Sequence, residues 1–193
     1  MQHGLNSPQR IAVDYIDGPC LVLAGAGSGK TRVITQKIVH LIESCGYEPR
    51  NIAALTFTNK AALEMRERVG KLLREPGQAK QLTVSTFHSL GVHILRREAQ
   101  ALGLKERFSI MDSTDCFAIV QDLSATTDKA VIRRIQSAMS LWKNALLTPE
   151  QALAKATTED EAQAARIYRS YVATLSSYQA VDFDDLIRLP VEL

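Results

Sequence analysis

Cysteine and aromatic residues are scarce in this chain of 193 residues. Its three cysteines, Cys20, Cys45 and Cys116, have spacings that match neither a disulfide framework nor a zinc site, so we expect free thiols in a reducing compartment. No apolar run is long enough to span a bilayer, and the first residues lack the basic start and apolar middle of a signal peptide. The sequence therefore predicts a cytoplasmic protein with no membrane partner.

The charges are nearly balanced overall but unevenly distributed, with a formal net charge of +2. Residues 56–97 contain eight Lys and Arg against three acidic residues, whereas residues 150–193 contain four against eight. The basic segment either meets a polyanion or forms a solvated helix face, and the charge pattern alone leaves both interpretations open.

A glycine-rich loop follows the apolar run at residues 20–23. Its members are Ala24, Gly25, Ala26, Gly27, Ser28, Gly29, Lys30 and Thr31. In a P-loop, glycines let backbone N–H groups face a polyphosphate, while Lys30 would supply a cation and Thr31 a hydroxyl ligand for Mg²⁺. The strict pattern begins with Gly where this chain has Ala24, so the match is near-complete. The alternative is a strand-to-helix turn that binds nothing.

Strand and helix patterns alternate in the first part of the chain. We predict helices over 7–16, 30–44 and 59–73, with Ser7 as the first N-cap, and buried strands over 20–23, 52–57 and 82–85. This order favours a parallel sheet. The rest is predicted to be helical apart from a short extended piece at 108–110.

The predicted sheet is incomplete for a nucleotide-binding α/β fold, because only three strands are convincing. No apolar strand ending in Asp, the Walker B element, is recognisable. Residues 176–180 do not read as a buried strand, so the acidic run 182–185 is interpreted as a helix start. We therefore expect the chain to be a fragment.

Aromatic and polar residues follow two of the predicted strands. Phe57 could stack on a base while Thr58 and Asn59 hold a phosphate at a helix N-terminus, and the alternative places Phe57 in the core with Asn59 as a helix cap. Thr86 and His88 repeat this chemistry after the third strand. Because the carboxyl ends of parallel strands share one sheet edge, two such loops favour a ligand-binding function.

Taken together, these segments resemble the superfamily 1A DNA helicases of the UvrD/Rep/PcrA type, and within that family the Rep group most closely. The matching segments are 5–9 (Q motif), 24–32 (motif I), 56–62 (motif Ia), 86–91 (motif Ib), 142–144 and 182–186. The resemblance covers the whole chain. It implies an α/β P-loop NTPase fold, a RecA-like parallel sheet that is incomplete here, with a mostly helical inserted subdomain.

The resemblance also implies a division of the chain. Residues 1–89 would form the first part of the RecA-like ATP-binding domain 1A, and residues 90–193 would form helical subdomain 1B, with the chain ending before the Walker B strand. Domains 2A and 2B of the same polypeptide would be absent, so the isolated chain is expected to be inactive. The implied activity is 3′→5′ helicase action on single-stranded DNA in replication restart or repair, with replication or repair proteins, or a second copy, as further partners.

The family's functional residues carry over to matching positions. ATP and Mg²⁺ would be held by Gln9, Ala24, Gly25, Ala26, Gly27, Ser28, Gly29, Lys30, Thr31 and Arg32, of which Lys30 and Thr31 would be catalytic and Thr31 the metal ligand. Single-stranded DNA would contact Phe57, Thr58, Asn59, Lys60, Thr86 and His88. Two rival interpretations are a P-loop kinase and a non-catalytic, nucleotide-dependent DNA-binding protein.

Overall fold

The structure, a computed structural model, describes residues 4–193. The chain divides into two compact units, the first ending at Phe87 and the second running from His88 to Leu193. Each unit has a hydrophobic core of its own. None of the helices in the described part of the chain is both long enough and apolar enough to cross a membrane.

The first unit is a small α/β assembly. Its elements are helix α1 (Ser7–Asp14), helix α2 (Lys30–Glu43), strand β1 (Ala53–Thr56), helix α3 (Asn59–Leu72) and strand β2 (Thr83–Thr86). The two strands pair in parallel, with Ala53 opposite Thr83 and Thr56 opposite Thr86. The connection between them runs through α3, as parallel pairing requires.

The core of the first unit lies between the strand pair and the apolar faces of α2 and α3. Ile38 and Ile42 of α2, Met65 and Val69 of α3, and Val84 of β2 are all buried. The two α2 residues are four positions apart, and so are the two of α3, the spacing that aligns side chains on one helix face. Local patterning therefore predicted the positions of these two helices correctly.

The predicted strand at residues 20–23 is not present. The segment forms no helix or strand, no strand among residues 4–193 pairs with it, and the side chains of Leu21 and Leu23 are 83% and 85% exposed. A strand exists only where a neighbour accepts its backbone hydrogen bonds, and an apolar run cannot specify that neighbour. The expectation that this segment is buried was therefore also wrong.

The second unit is mostly helical. Its elements are helix α4 (Phe87–Arg97), strand β3 (Ser109–Ile110), helices α5 (Ser113–Ser124), α6 (Lys129–Asn144), α7 (Pro149–Lys155) and α8 (Glu159–Ser177), strand β4 (Ala180–Val181) and helix α9 (Asp185–Glu192). Most of its core comes from α5, α6 and α8. The extended piece predicted near residue 109 is confirmed.

Strand β4 was not predicted. Ala180 and Val181 are buried and pair in parallel with Ser109 and Ile110. A two-residue strand is too short to produce an alternating pattern, so the sequence offered no sign of it. The helix predicted after it begins at Asp185, at the end of the acidic run.

Candidate nucleotide and nucleic-acid sites

The glycine-rich loop ends at the start of α2. Gly27 and Gly29 have φ angles of 73° and 83°, in the left-handed region that side chains disfavour. Gly29 is the N-cap of α2 and provides no side-chain hydrogen bond to the helix. Backbone N–H groups at a helix start that has no side-chain cap, together with the helix dipole, favour the binding of an anion.

Lys30 and Thr31 are exposed in the first turn of α2. The Lys30 ammonium donates hydrogen bonds to the carbonyl oxygens of Ala24 at 3.1 Å and Gly25 at 2.7 Å. These bonds hold the cation over the loop that precedes it in the chain. The P-loop lysine and hydroxyl predicted from the sequence are therefore together at the loop.

A cavity of about 490 Å³ lies beside the loop, between α1 and α2. Its wall is mostly apolar and includes Val22, Leu23 and Ile34, with Gln9 and Lys30 as polar members. A volume of this size falls within the range typical of small-molecule sites.

Gln9 connects α1 with the loop. Its Nε2 donates to the carbonyl oxygen of Ser28 at 3.0 Å, and its Oε1 accepts from the backbone N–H of Asn6 at 3.0 Å. The Asn6 side chain accepts in return from the Gln9 N–H at 2.9 Å, which completes a capping box. Asn6, and not Ser7 as predicted, is therefore the cap of α1. The spacing of Asn6 and Gln9 was the available sign.

Two further contacts of this region were missed in the sequence. A side chain at Gly4 would come within 2.2 Å of the Arg32 guanidinium, so this glycine leaves the space that Arg32 occupies. Lys37 of α2 donates to the carbonyl oxygens of Ala12, Val13 and Tyr15 at the end of α1. A lysine placed there complements the negative end of the helix dipole.

Two phenylalanines follow the paired strands at their carboxyl ends. Thr56 and Thr86 are opposite each other in the parallel ladder, and the rings of the next residues, Phe57 and Phe87, have centroids 6.4 Å apart. Phe57 is 92% exposed, which excludes the core interpretation, and Phe87 is 49% exposed. The sequence did not predict a DNA contact for Phe87, because the polar side chains of Thr86 and His88 on either side of it were assigned that role.

The polar residues of this edge differ in accessibility. Thr58 is the N-cap of α3 and accepts from the N–H of Ala61 at 3.1 Å, so the cap is Thr58 and the alternative that made Asn59 the cap is wrong. Asn59 and Lys60 are exposed in the first turn of α3. Thr86 is buried, so it offers little surface to a ligand.

His88 belongs to the second unit, in the first turn of α4. Its imidazole is exposed and makes an edge contact with the ring of Phe183, with centroids 6.0 Å apart and planes at 88°. Phe183 lies in the turn between β4 and α9, and the sequence predicted no role for it.

A buried ion cluster lies behind that turn. The Lys143 ammonium, whose side chain is 1% exposed, contacts the carboxylates of Asp182 at 2.7 Å and Asp185 at 3.0 Å. The Tyr171 hydroxyl donates to Asp182 at 2.9 Å, and Arg188 contacts Asp185 at 3.1 Å. Each buried charge thus has an oppositely charged partner.

The two aspartates of the cluster have different pKa values. Burial tends to raise the pKa of Asp182, but the Lys143 ammonium and the hydrogen bonds it receives outweigh burial and hold this pKa below its usual range. Burial, together with the Asp182 carboxylate, raises the pKa of Asp185 above its usual range despite Lys143. Burial also raises the pKa of the nearby Cys116 thiol.

A family model and individual relatives of known name all place this chain in the same family. Residues 5–193 match the family described as "UvrD/REP helicase N-terminal domain". The chain is 52% identical over 192 residues to the ATP-dependent DNA helicase Rep of Escherichia coli K12, covering 98% of this chain and 28% of that protein. It is 43% identical over 197 residues to the ATP-dependent DNA helicase PcrA of Leuconostoc citreum, covering 100% of this chain and 26% of that protein. The chain thus spans little more than a quarter of the length of these relatives.

Proposed function

The chain belongs to the UvrD/REP helicase family, and on that premise we propose that it is the N-terminal part of an ATP-dependent DNA helicase that moves 3′→5′ on single-stranded DNA in replication restart or repair. In this proposal the first unit is the start of a RecA-like domain 1A, and the second unit is subdomain 1B. The observation that carries the proposal is the exposed Lys30 and Thr31 pair at the uncapped start of α2, beside a cavity of about 490 Å³.

The loop residues are suited to the phosphates of ATP. The N–H groups that follow Gly27 and Gly29, and the Lys30 ammonium, would neutralise the β and γ phosphates, and the Thr31 hydroxyl would ligate Mg²⁺. When bound, Mg²⁺ would neutralise charge on the phosphate oxygens, and hydrolysis of the γ-phosphate of ATP would supply the free energy. Lys30 stabilises negative charge that develops on the transferred phosphoryl group, since it is the loop's own side-chain cation.

Gln9 is suited to recognition of the adenine base. Its carboxamide donates one N–H to the Ser28 carbonyl oxygen and accepts one hydrogen bond from the Asn6 N–H. One N–H and one lone pair therefore remain for a ligand. Adenine presents an acceptor and a donor side by side at N7 and N6, which a carboxamide can match. Arg32 would lie near the base or the sugar.

The edge that carries Phe57 and Phe87 is suited to single-stranded DNA. Exposed aromatic rings provide base stacking without sequence preference, and Lys60 and Asn59 supply polar contacts for the backbone. Thr58 and Thr86 would contact DNA through backbone groups. The Thr58 side chain is engaged in the cap of α3, and the Thr86 side chain is buried. His88 would add a contact from α4.

The test is the ATPase and unwinding activity of the longer protein that contains this chain. Hydrolysis stimulated by single-stranded DNA, and unwinding of a duplex with a 3′ tail but not a 5′ tail, are expected. The chain alone should be slower by about 10³-fold or more, because the family's arginine finger and motif II acids are not among its residues. ATP and DNA binding without turnover by the longer protein would favour a non-catalytic role, and phosphorylation of a small molecule would favour a kinase.

A further inference from the structure

Helix α1 lines the cavity beside the glycine-rich loop but buries little apolar surface. Val13 is buried, whereas Ile11 is 70% exposed, and the helix has only eight residues. A helix this short is marginal without the packing of an apolar face. The position of α1 therefore depends on polar contacts with its neighbours.

Lys37 of α2 supplies such contacts at the carboxyl-terminal end of α1. The ammonium of this half-buried side chain donates to the carbonyl oxygens of Ala12 at 3.1 Å, Val13 at 3.4 Å and Tyr15. The last carbonyls of a helix have no partner within it, and a cation there complements the helix dipole. Lys37 thus binds the end of α1 that its own backbone leaves unpaired.

Lys37 also lines the cavity, together with Gln9 and Lys30, yet it is not suited to bind a ligand there. An ammonium has three N–H donors, and three carbonyl oxygens accept from Lys37. Lys30 donates to two carbonyl oxygens, so one of its N–H groups remains. Lys30 can therefore contact a phosphate, whereas Lys37 holds a helix.

Gln9 is the residue of α1 whose position matters most for the base. It precedes Val13 by about one helical turn, so fixing the last carbonyls of so short a helix also sets where the Gln9 carboxamide lies. The remaining N–H and lone pair of this carboxamide match the acceptor and donor of adenine, whereas guanine presents two acceptors, N7 and O6, at the same edge. A displacement of α1 would thus reduce discrimination between the two bases without removing the phosphate contacts of the loop.

We propose that Lys37 is a positioning residue that holds α1 so that the Gln9 carboxamide selects adenine over guanine. The inference rests on the proposed function, because it requires that Gln9 contact the base. Lys37 does not touch the nucleotide itself and acts through the backbone of α1.

The experiment measures the affinities of the longer protein for ATP and GTP, by competition with an ADP analogue that carries a fluorophore on its ribose. Lys37→Met keeps most of the side-chain length but removes the three donors, and it should lower the preference for ATP over GTP about threefold to tenfold, the value of one hydrogen bond. Affinity for GTP should change little, because the loop still contacts the phosphates. Lys37→Arg keeps a cation with several N–H donors and should restore the preference.

Two further variants complete the measurement. Gln9→Ala should lower the preference by a similar factor, and adding Lys37→Met to it should have no further effect, because the group that Lys37 positions is gone. Lys71→Met is the matched control, since Lys71 is an exposed lysine in the last turn of α3, and it should leave both affinities unchanged.

The outcomes separate the two proposals. If Gln9→Ala leaves the preference unchanged, Gln9 does not select the base, and adenine recognition in the proposed function is wrong together with the role of Lys37. If Gln9→Ala lowers the preference but Lys37→Met weakens ATP and GTP equally, or neither, the positioning role is overturned while adenine recognition stands. Additive effects of the two changes, or failure of Lys37→Arg to restore the preference, would also overturn it.

Discussion

Lys30 in the first unit and Lys143 in the second show how partners decide what a lysine does. Each ammonium contacts two protein oxygens at 2.7–3.1 Å, but Lys30 contacts two backbone carbonyls, whereas Lys143 contacts two carboxylates. Carbonyl dipoles leave the charge of Lys30 uncompensated and available to an anion. Two carboxylates compensate Lys143 fully, so its role is to hold the surrounding helices together.

The largest effect is expected for Lys143→Met. This change leaves Asp182 and Asp185 buried without their shared cation, which should lower the free energy of unfolding of the second unit by about 3–5 kcal/mol. Denaturant unfolding followed by fluorescence measures it, because the chain has one tryptophan, Trp142, in α6 of that unit.

Lys155→Met is the control, because Lys155 is exposed at the end of α7. Its effect should stay within about 0.5 kcal/mol, as for most surface substitutions. Equal effects of the two changes would show that the buried cluster contributes little, and the contrast between Lys30 and Lys143 would fail.

Lys30→Ala should act on turnover and not on folding. In the longer protein, loss of this cation should reduce ATP hydrolysis by about a hundredfold to a thousandfold, because transition-state charge is left unstabilised. The melting temperature should not change, since the side chain is exposed. Lys80→Ala, a change at another exposed lysine, is the comparison variant. A near-normal rate of hydrolysis in Lys30→Ala would contradict the P-loop assignment.

Phe57→Ala should weaken binding of single-stranded DNA by the longer protein by about 1–3 kcal/mol, the usual value of one base-stacking contact. Stability should barely change, because Phe57 is 92% exposed. The comparison variant Lys60→Ala should instead lower the salt dependence of binding by about one unit of charge. A large drop in melting temperature for Phe57→Ala, with DNA affinity unaltered, would remove the DNA role of this residue.

The smallest effect concerns pH. Because the folded state lowers the pKa of Asp182, its contribution to stability is complete above the ordinary pKa and is lost as the pH falls through the lower, folded-state value. Asp185, with a raised pKa, has the opposite sign, so its contribution to stability increases as the pH falls from the raised, folded-state pKa to the ordinary value. Unfolding followed by Trp142 fluorescence at a series of pH values should therefore show the loss of stability only at the acid end. The variant Asp182→Asn should flatten this pH dependence. An unchanged acid slope in that variant would contradict the lowered pKa.

The helices were predictable because their determinants are local. The helix predicted over 30–44 is observed at Lys30–Glu43, and the helix predicted over 59–73 is observed at Asn59–Leu72. Their starts follow a glycine-rich loop and a threonine cap, and their buried faces repeat with helical spacing. Strand pairing is not local, which is why residues 20–23 were wrongly expected to form a buried strand.

The candidate sites and the buried ion cluster were only partly predictable for the same reason. The loop residues are contiguous, whereas Lys143 and Asp182 are 39 positions apart and meet only in the folded chain. One sign was available: Lys143 continues the buried stripe of α6 formed by Ile132, Ile135 and Met139. A lysine at a position that faces the core predicts a buried acidic partner, although not which one.

The hydrogen bonds at the two ends of α1 couple the docking of this helix to the binding of a ligand at the proposed nucleotide site. Gln9 joins its first turn to the loop, and Lys37 joins its last carbonyls to α2. Any ligand that binds the ordered loop more tightly therefore also favours the docked helix, and by reciprocity a docked α1 raises affinity for that ligand. Substitutions in α1 that never touch a phosphate would thus change nucleotide affinity through this shared equilibrium.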